Sequence, residues 1–288
     1  MKVGLGLRWE FLDEILARTF SSANARDLPC DFLEVSPENY VGRGGYHSAA
    51  LARLCGELPI LTHGLTMSLG GTDPLDARYL RELGAFVRDV KSPWHSDHLC
   101  FSTQDGAVLH DLLPVAFTEK SAARVAERVM RARDALKVPM AVENITFYTR
   151  VDEGRGMSEP EWISRVCDRA DCGLMLDVNN AYVNAQNFGF DVDEWMRNAP
   201  LARTVQIHVA GHEIFDEGDF VAGATGKIIL DTHGADVSDP VLALLERVLP
   251  KTGAVPVVVE RDQAIPPFDA LMEEVRRVRS VYDRVFGR

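Results

Sequence analysis

Residues 118–144 read TEKSAARVAERVMRARDALKVPMAVEN. Thr118 can cap a helix, and Val125, Val129, Ala132 and Leu136 recur every three or four residues, so they share one face. The apolar run Met140–Glu143 follows and reads as a short strand buried on both faces. Working outward, similar short runs occur at Val3–Arg8, Phe32–Ser36, Ile60–His63, Trp94–His98, Gly173–Asp177, Val205–Val209 and Val257–Glu260. Helical signals lie between them. Asp73-Pro74 reads as a cap before Leu80, Leu83, Val87 and Val90; Asp239-Pro240 repeats that signal before Val241–Leu249; Leu271, Val275, Val278 and Tyr282 form one face of a last helix. Strand–helix alternation of this kind predicts one α/β domain, residues 1–288, closed as a (β/α)₈ TIM barrel. Phe101–Pro114 interrupts the rhythm with a hairpin signal at Asp105-Gly106. Asn180–Phe190 and Gly211–Gly226 read as long loops, which in a barrel shape the catalytic face.

The chain has 288 residues, within reach of a barrel of roughly 250 residues. A hydrophobic content of 46% supports a large core, and a formal charge of −12 disfavours nucleic acid. The N-terminus meets Glu10 and Asp13 early, unlike a secretory signal, and no apolar run is long enough for a membrane span. The five cysteines contain no CxxC, so reduced thiols and a cytoplasmic location are expected.

The strand ends carry the chemistry. His63 closes strand three, Asp97 and His98 strand four, Glu143 and Asn144 strand five, Asp177, Asn179 and Asn180 strand six, His208 and His212 strand seven. The extended piece KIILDTHG adds Asp231 and His233, and strand eight ends in Glu260 and Asp262. A lone histidine after an apolar run is usually structural. Six consecutive strands ending this way at one barrel mouth point to metal, because uncompensated buried charges are costly. Imidazole and carboxylate without thiolate suit iron, manganese or zinc. Glu143, Asp177, Asp231 and Glu260 exceed what one ion needs, and Glu143, midway in strand order, is the expected bridge between two ions ~3.5–4 Å apart. Asp97 and Asn144 are expected to face away or to support ligands, and His47, His95 and His110 receive no role. Arg8 and Glu34 could bind substrate or form structural ion pairs; the GLG at Gly4–Gly6 lacks a dinucleotide fingerprint.

The ordered motifs THG, SDHL, VEN, LDVNN with YVNAQN, IHVAGH, LDTHG and VVVERD, together with GLGLR, EVSPENY and HGLTMSLG, resemble the multinuclear non-heme iron-dependent oxidative enzymes over nearly the whole chain. That resemblance implies a barrel holding two or three iron ions of mixed Fe(II)/Fe(III) valence, with dioxygen as co-substrate. It implies oxidation of a ribosomally made precursor peptide, commonly at cysteine and otherwise at aspartate or asparagine. By the same resemblance, His63, His98 and Glu143 hold one iron; Glu143, Asp177, His208 and Glu260 hold the next; Asn179, Asp231 and His233 hold a third. Glu143, Asp177 and His208 form the implied catalytic centre; Glu38 and Asn39 match the family segment without a role. A separate leader-binding partner is expected, since no domain for it follows the last helix at Val281. Two other classes compete: a xylose-isomerase-like hydrolase or isomerase, disfavoured by the absence of a strand-end lysine, and a non-catalytic peptide- or metal-binding barrel.

Overall fold

Thr118 does cap a helix. In the computed structural model, which describes residues 1–21, 28–149, 151 and 156–287, Thr118 Oγ1 accepts from the Ser121 amide at 3.2 Å and Ser121 Oγ accepts from the Thr118 amide at 3.1 Å. This reciprocal capping box satisfies two amides that the first helical turn would leave unpaired.

The elements run β1 (Val3–Gly6), α1 (Leu12–Thr19), β2 (Leu33–Val35), α2 (Tyr46–Leu54), β3 (Ile60–Gly64), α3 (Ala77–Asp89) and β4 (His95–His98). The hairpin β5 (Phe101–Gln104) and β6 (Ala107–Leu113) follows, then α4 (Glu119–Leu136), β7 (Met140–Glu143), α5 (Glu159–Ala170) and β8 (Gly173–Asp177). Next come α6 (Val178–Phe188), α7 (Val192–Asn198), β9 (Thr204–Ala210), the hairpin β10 (Glu213–Asp216) and β11 (Lys227–Leu230), α8 (Asp239–Thr252), β12 (Val257–Glu260) and α9 (Phe268–Phe286). The strands β1, β2, β3, β4, β7, β8, β9 and β12 form a closed barrel in that circular order, every pair parallel. The fold is therefore the single-domain (β/α)₈ barrel. Cys55, Cys100, Cys167 and Cys172 are thiols. No described helix is long and apolar enough to cross a membrane.

Strand parity divides the interior. Val3, Leu5, Leu33, Val35, Val142, Leu174, Ile207, Val209, Val257 and Val259 join the main core. Phe32, Leu61 and Val258 form a separate buried cluster against which Trp94 packs. Those residues sit at the opposite parity, so they point inward and plug the N-terminal end of the barrel. Gly4 makes room for the plug, since a Cβ there would lie 2.4 Å from the Phe32 ring. Two residues further along the inward-facing rows of β3, β4, β8, β9 and β12, apolar or neutral side chains give way to His63, His98, Asp177, His208 and Glu260.

Four expectations need correction. The helix after Asp73-Pro74 starts at Ala77, with Asp76 as its cap accepting from the Arg78 amide at 2.7 Å. Asp73 instead accepts from the Asp105 and Gly106 amides at 3.1 and 3.0 Å, holding the hairpin turn. Likewise Ser238, one residue before Asp239, precedes α8. Asn180–Phe190 is not a loop: it belongs mostly to α6. Its asparagines, poor helix formers alone, reach outward to the neighbouring loops. Asn184 donates to the Ile145 carbonyl at 2.9 Å and accepts from the Phe147 amide at 3.1 Å, and Asn187 does the same with Ile229 at 2.8 and 2.9 Å. Gly211–Gly226 likewise holds β10 and part of its hairpin connection.

Candidate metal centre

Parallel strands deliver their C-terminal ends to one mouth. β3 brings His63 and β4 brings His98, whose Nε2 atoms face each other at 3.2 Å. Between them lies Glu143 from β7, with Oε2 at 3.2 Å from His63 Nε2 and 3.0 Å from His98 Nε2. His208 from β9 turns Nδ1 toward Glu143 Oε1 at 3.5 Å and Glu260 Oε2 at 3.0 Å. Farther out, His233 Nε2 lies 3.0 Å from Asp231 Oδ1, which also accepts from Asn179 Nδ2 at 2.7 Å. The far ring nitrogen of His233 faces Asp262 Oδ2 at 3.1 Å.

Ligand atoms converge in overlapping groups: His63, His98 and Glu143; Glu143, Asp177 and His208; Asp177, His233 and Glu260; Glu34, His208 and Glu260. In each group one atom per residue lies within 4.8 Å of the others. Glu143, Asp177 and Glu260 each belong to two groups, the arrangement a bridging carboxylate needs. Glu260 falls with His208 in one group and with Asp177 and His233 in another. Asp231 touches both Asn179 and His233 at the outer edge.

The residues fit cations. Glu143 Oε2, Asp177 Oδ2, His208 Nδ1 and His233 Nε2 are buried and make no hydrogen bond, although neighbouring ligand atoms approach to 3.0–3.5 Å. Buried polar atoms are normally paired. Four left without a hydrogen bond, all on residues of the overlapping groups, suit a ligand shell. The electrostatics agree. Burial, then the Glu143 and Asp231 carboxylates, push the Asp177 carboxyl well above its usual range. Burial would also raise Glu143, but the His98 and His63 imidazoles hold it well below. Burial would lower His98, yet Glu143 raises it to about 9. Protons on the imidazoles and carboxyls thus supply counter-charge within the cluster, and divalent or trivalent ions would replace them.

Supporting contacts hold the candidate ligands. Asp177 is also the cap of α6, accepting from the Asn180 amide at 2.6 Å through Oδ1. Asn144 fixes the same corner, donating to the Asp177 carbonyl and accepting from its amide, both at 2.9 Å. His63 Nδ1 lies 3.0 Å from Ser96 Oγ. Asp97 turns away from the cluster, accepting from the His98 and Met67 amides. Glu38 clamps the loop after His63, accepting from the Leu65 and Thr66 amides at 2.9 and 3.3 Å and from the Tyr79 hydroxyl at 2.6 Å. His212 reaches Asn179 Oδ1 at 2.7 Å and stacks on Tyr182. Arg8 pairs with Asp262 at the mouth. His47 stacks on Trp9, His95 is buried beside Thr62 Oγ1 at 3.1 Å, and His110 lies on the β6 hairpin strand. Sequence reading left Glu34 undecided and overlooked Gln206; both are buried polar residues on inward-facing strand positions.

The cavity above the cluster measures about 450 Å³, and Leu65, Leu112, Thr146, Tyr148, Thr232 and Gln263 line its outer wall.

Solved structures with this fold include a sugar phosphate isomerase/epimerase from Parabacteroides distasonis, at 17% identity and TM-score 0.58 over 99% of this chain and 94% of that one. A xylose isomerase-like TIM barrel protein from Mycobacterium smegmatis, in complex with magnesium, has 10% identity and TM-score 0.59 over 96% and 89%. At such identities the likeness is one of fold. Sequence relatives are nearer. A UPF0276 protein of Pseudomonas aeruginosa is 41% identical over 98% of this chain and 92% of its own length. One from Acinetobacter baylyi is 38% identical over 96% and 90%. A family described as RiPP precursor modification enzyme MbnB/TglH/ChrH matches residues 2–283. With the strand-end motifs, the barrel and the converging ligand groups all in place, the chain belongs to that family of precursor-peptide-modifying enzymes.

Proposed function

We propose that this enzyme is an iron- and dioxygen-dependent oxidase that modifies a ribosomally made precursor peptide at cysteine, in the cytoplasm, with a separate partner presenting the leader. The overlapping ligand groups carry the reading, because one carboxylate shared between neighbouring groups is suited to hold two ions side by side. His63, His98 and Glu143 would hold one ion, Glu143, Asp177 and His208 a second, and Asp231, His233 and Asn179 an outer one, with Glu260 between the inner and outer positions. Iron of mixed valence would bind the substrate group as an anion, lower the pKa of a thiol, and activate dioxygen.

The protein's own groups supply position and environment. The buried walls strengthen electrostatic interactions at the cluster. Arg8, held by Asp262 through Nε at 2.6 Å, adds fixed positive charge beside Glu260. The Tyr148 hydroxyl oxygen accepts from the Asp231 amide at 2.9 Å and so orients that loop. The mouth admits an extended peptide side chain and holds it against the cluster, replacing a bimolecular encounter by a local one.

The test is metal content of protein purified under low oxygen with iron supplied, followed by incubation with candidate Cys-containing precursor peptides. Two or more irons per chain and a peptide mass change only in the presence of dioxygen are expected. Turnover that proceeds equally under nitrogen, or zinc or manganese at that stoichiometry with iron absent, would overturn the reading.

A further inference from the structure

The His208 ring faces two ways. Nδ1 points to Glu143 and Glu260 and makes no hydrogen bond. Nε2 points down the barrel to Glu34 Oε1 at 2.8 Å. Glu34 thus meets the ring edge that faces away from the cluster, and Nδ1 faces into it.

Glu34 is itself held. Trp94 Nε1 donates to Gln206 Oε1 at 3.0 Å. Indole N–H can only donate, so the Gln206 amide is oriented with Nε2 toward Glu34. That Nε2 donates to Glu34 Oε2. It also lies 2.9 Å from His208 Nε2, so Gln206 and Glu34 together hold the back of the ring. Gln206 and His208 are 0% exposed and Glu34 is 3% exposed. The chain Trp94–Gln206–Glu34–His208 runs from the barrel plug to the cluster without a break.

We propose that Glu34 is a positioning residue: it donates no ligand atom but, braced by Gln206 and Trp94, fixes the orientation of His208 as a metal ligand. The proposal rests on the metal-centre reading above. Glu34 could by distance join His208 and Glu260 around an ion. Both of its oxygens are already engaged, one by His208 and one by Gln206, and the unpaired nitrogen of His208 is on the other side of the ring.

The experiment is anaerobic titration of the metal-stripped full chain with Fe(II), and in parallel with Co(II), read by bound equivalents and by the visible Co(II) bands. Wild type, Glu34→Gln and Gln206→Met are compared, and the urea midpoint of each stripped protein checks its fold. Glu34→Gln should weaken one equivalent about 10- to 100-fold and leave the remaining equivalents unmoved. Gln206→Met should weaken the same equivalent by less, and it carries the test if Glu34→Gln does not fold. Unchanged affinity in the folded variants overturns the proposal. So does complete loss of that equivalent with Co(II) bands shifted as for a lost ligand, since Glu34 would then lie in the coordination sphere. A wild type that takes up no metal overturns the metal-centre reading, and this proposal with it.

Discussion

Glu159 offers a sharp test of the physical reasoning, away from the metal cluster. It is the first residue of α5 and lines an apolar cavity of about 490 Å³ beside Phe117, Phe147 and Trp195. Its Oε2 accepts from Trp195 Nε1 at 2.9 Å. Burial pushes its carboxyl from 4.5 to about 7, against a smaller lowering by the Trp195 bond. At about 1.36 kcal/mol per pKa unit, that rise corresponds to about 3 kcal/mol. The α5 N-terminus favours the charged form by about 0.3–1 kcal/mol, leaving about 2–3 kcal/mol. The sign follows from linkage: the folded state holds the proton more tightly than the unfolded chain. The contribution is therefore fully present below the unfolded pKa of 4.5 and is lost as pH rises through about 7. Glu159→Gln keeps an oxygen for Trp195 and has no proton to lose. Urea denaturation from pH 4.5 to 8 should show the variant gaining about 2–3 kcal/mol on wild type across that window, or roughly 5 °C in Tm at the alkaline end. Parallel stability curves for the two proteins would refute the argument that burial leaves this carboxyl protonated.

Other substitutions probe other parts. Gly4→Ala drives a Cβ into the buried Phe32 ring and should cost about 1–3 kcal/mol in equilibrium unfolding; a neutral result would mean the plug is looser than described. Thr118→Ala removes one half of the α4 capping box and should cost about 1 kcal/mol in the same assay, with metal uptake unaltered. Glu143→Ala should remove more than one equivalent of metal, as measured by elemental analysis, whereas loss of none would exclude a bridging role for Glu143.

Much of the barrel was legible because its strands are buried on both faces and so appear as short apolar runs ending in one polar residue. Met140–Glu143, Gly173–Asp177 and Val257–Glu260 have the bounds that the sequence suggested. What escaped notice depends on distant partners. The asparagines of α6 look like loop residues until Ile145, Phe147 and Ile229 supply bonds for their side chains. Asp73 looks like a helix cap until the β5–β6 turn claims it. Glu34 was visible as a charge inside an apolar strand, but its connection to His208 is made across the barrel, 172 positions from Gln206 at its nearest hydrogen bond. Parity held the missing signal: Phe32 and Glu34, like Gln206 and His208, are two apart on one strand and so share the inward face.

The plug of Phe32, Leu61, Val258 and Trp94 also governs traffic. With the lower end of the barrel sealed, the cluster opens among the described residues at the mouth beside the two hairpins. A peptide seated there is a stopper as well as a reactant. Small molecules must enter before it or slip past its edges, and the product must back out by the route its precursor used. Congestion at that doorway, rather than the chemistry behind it, then becomes a natural place for turnover to be paced.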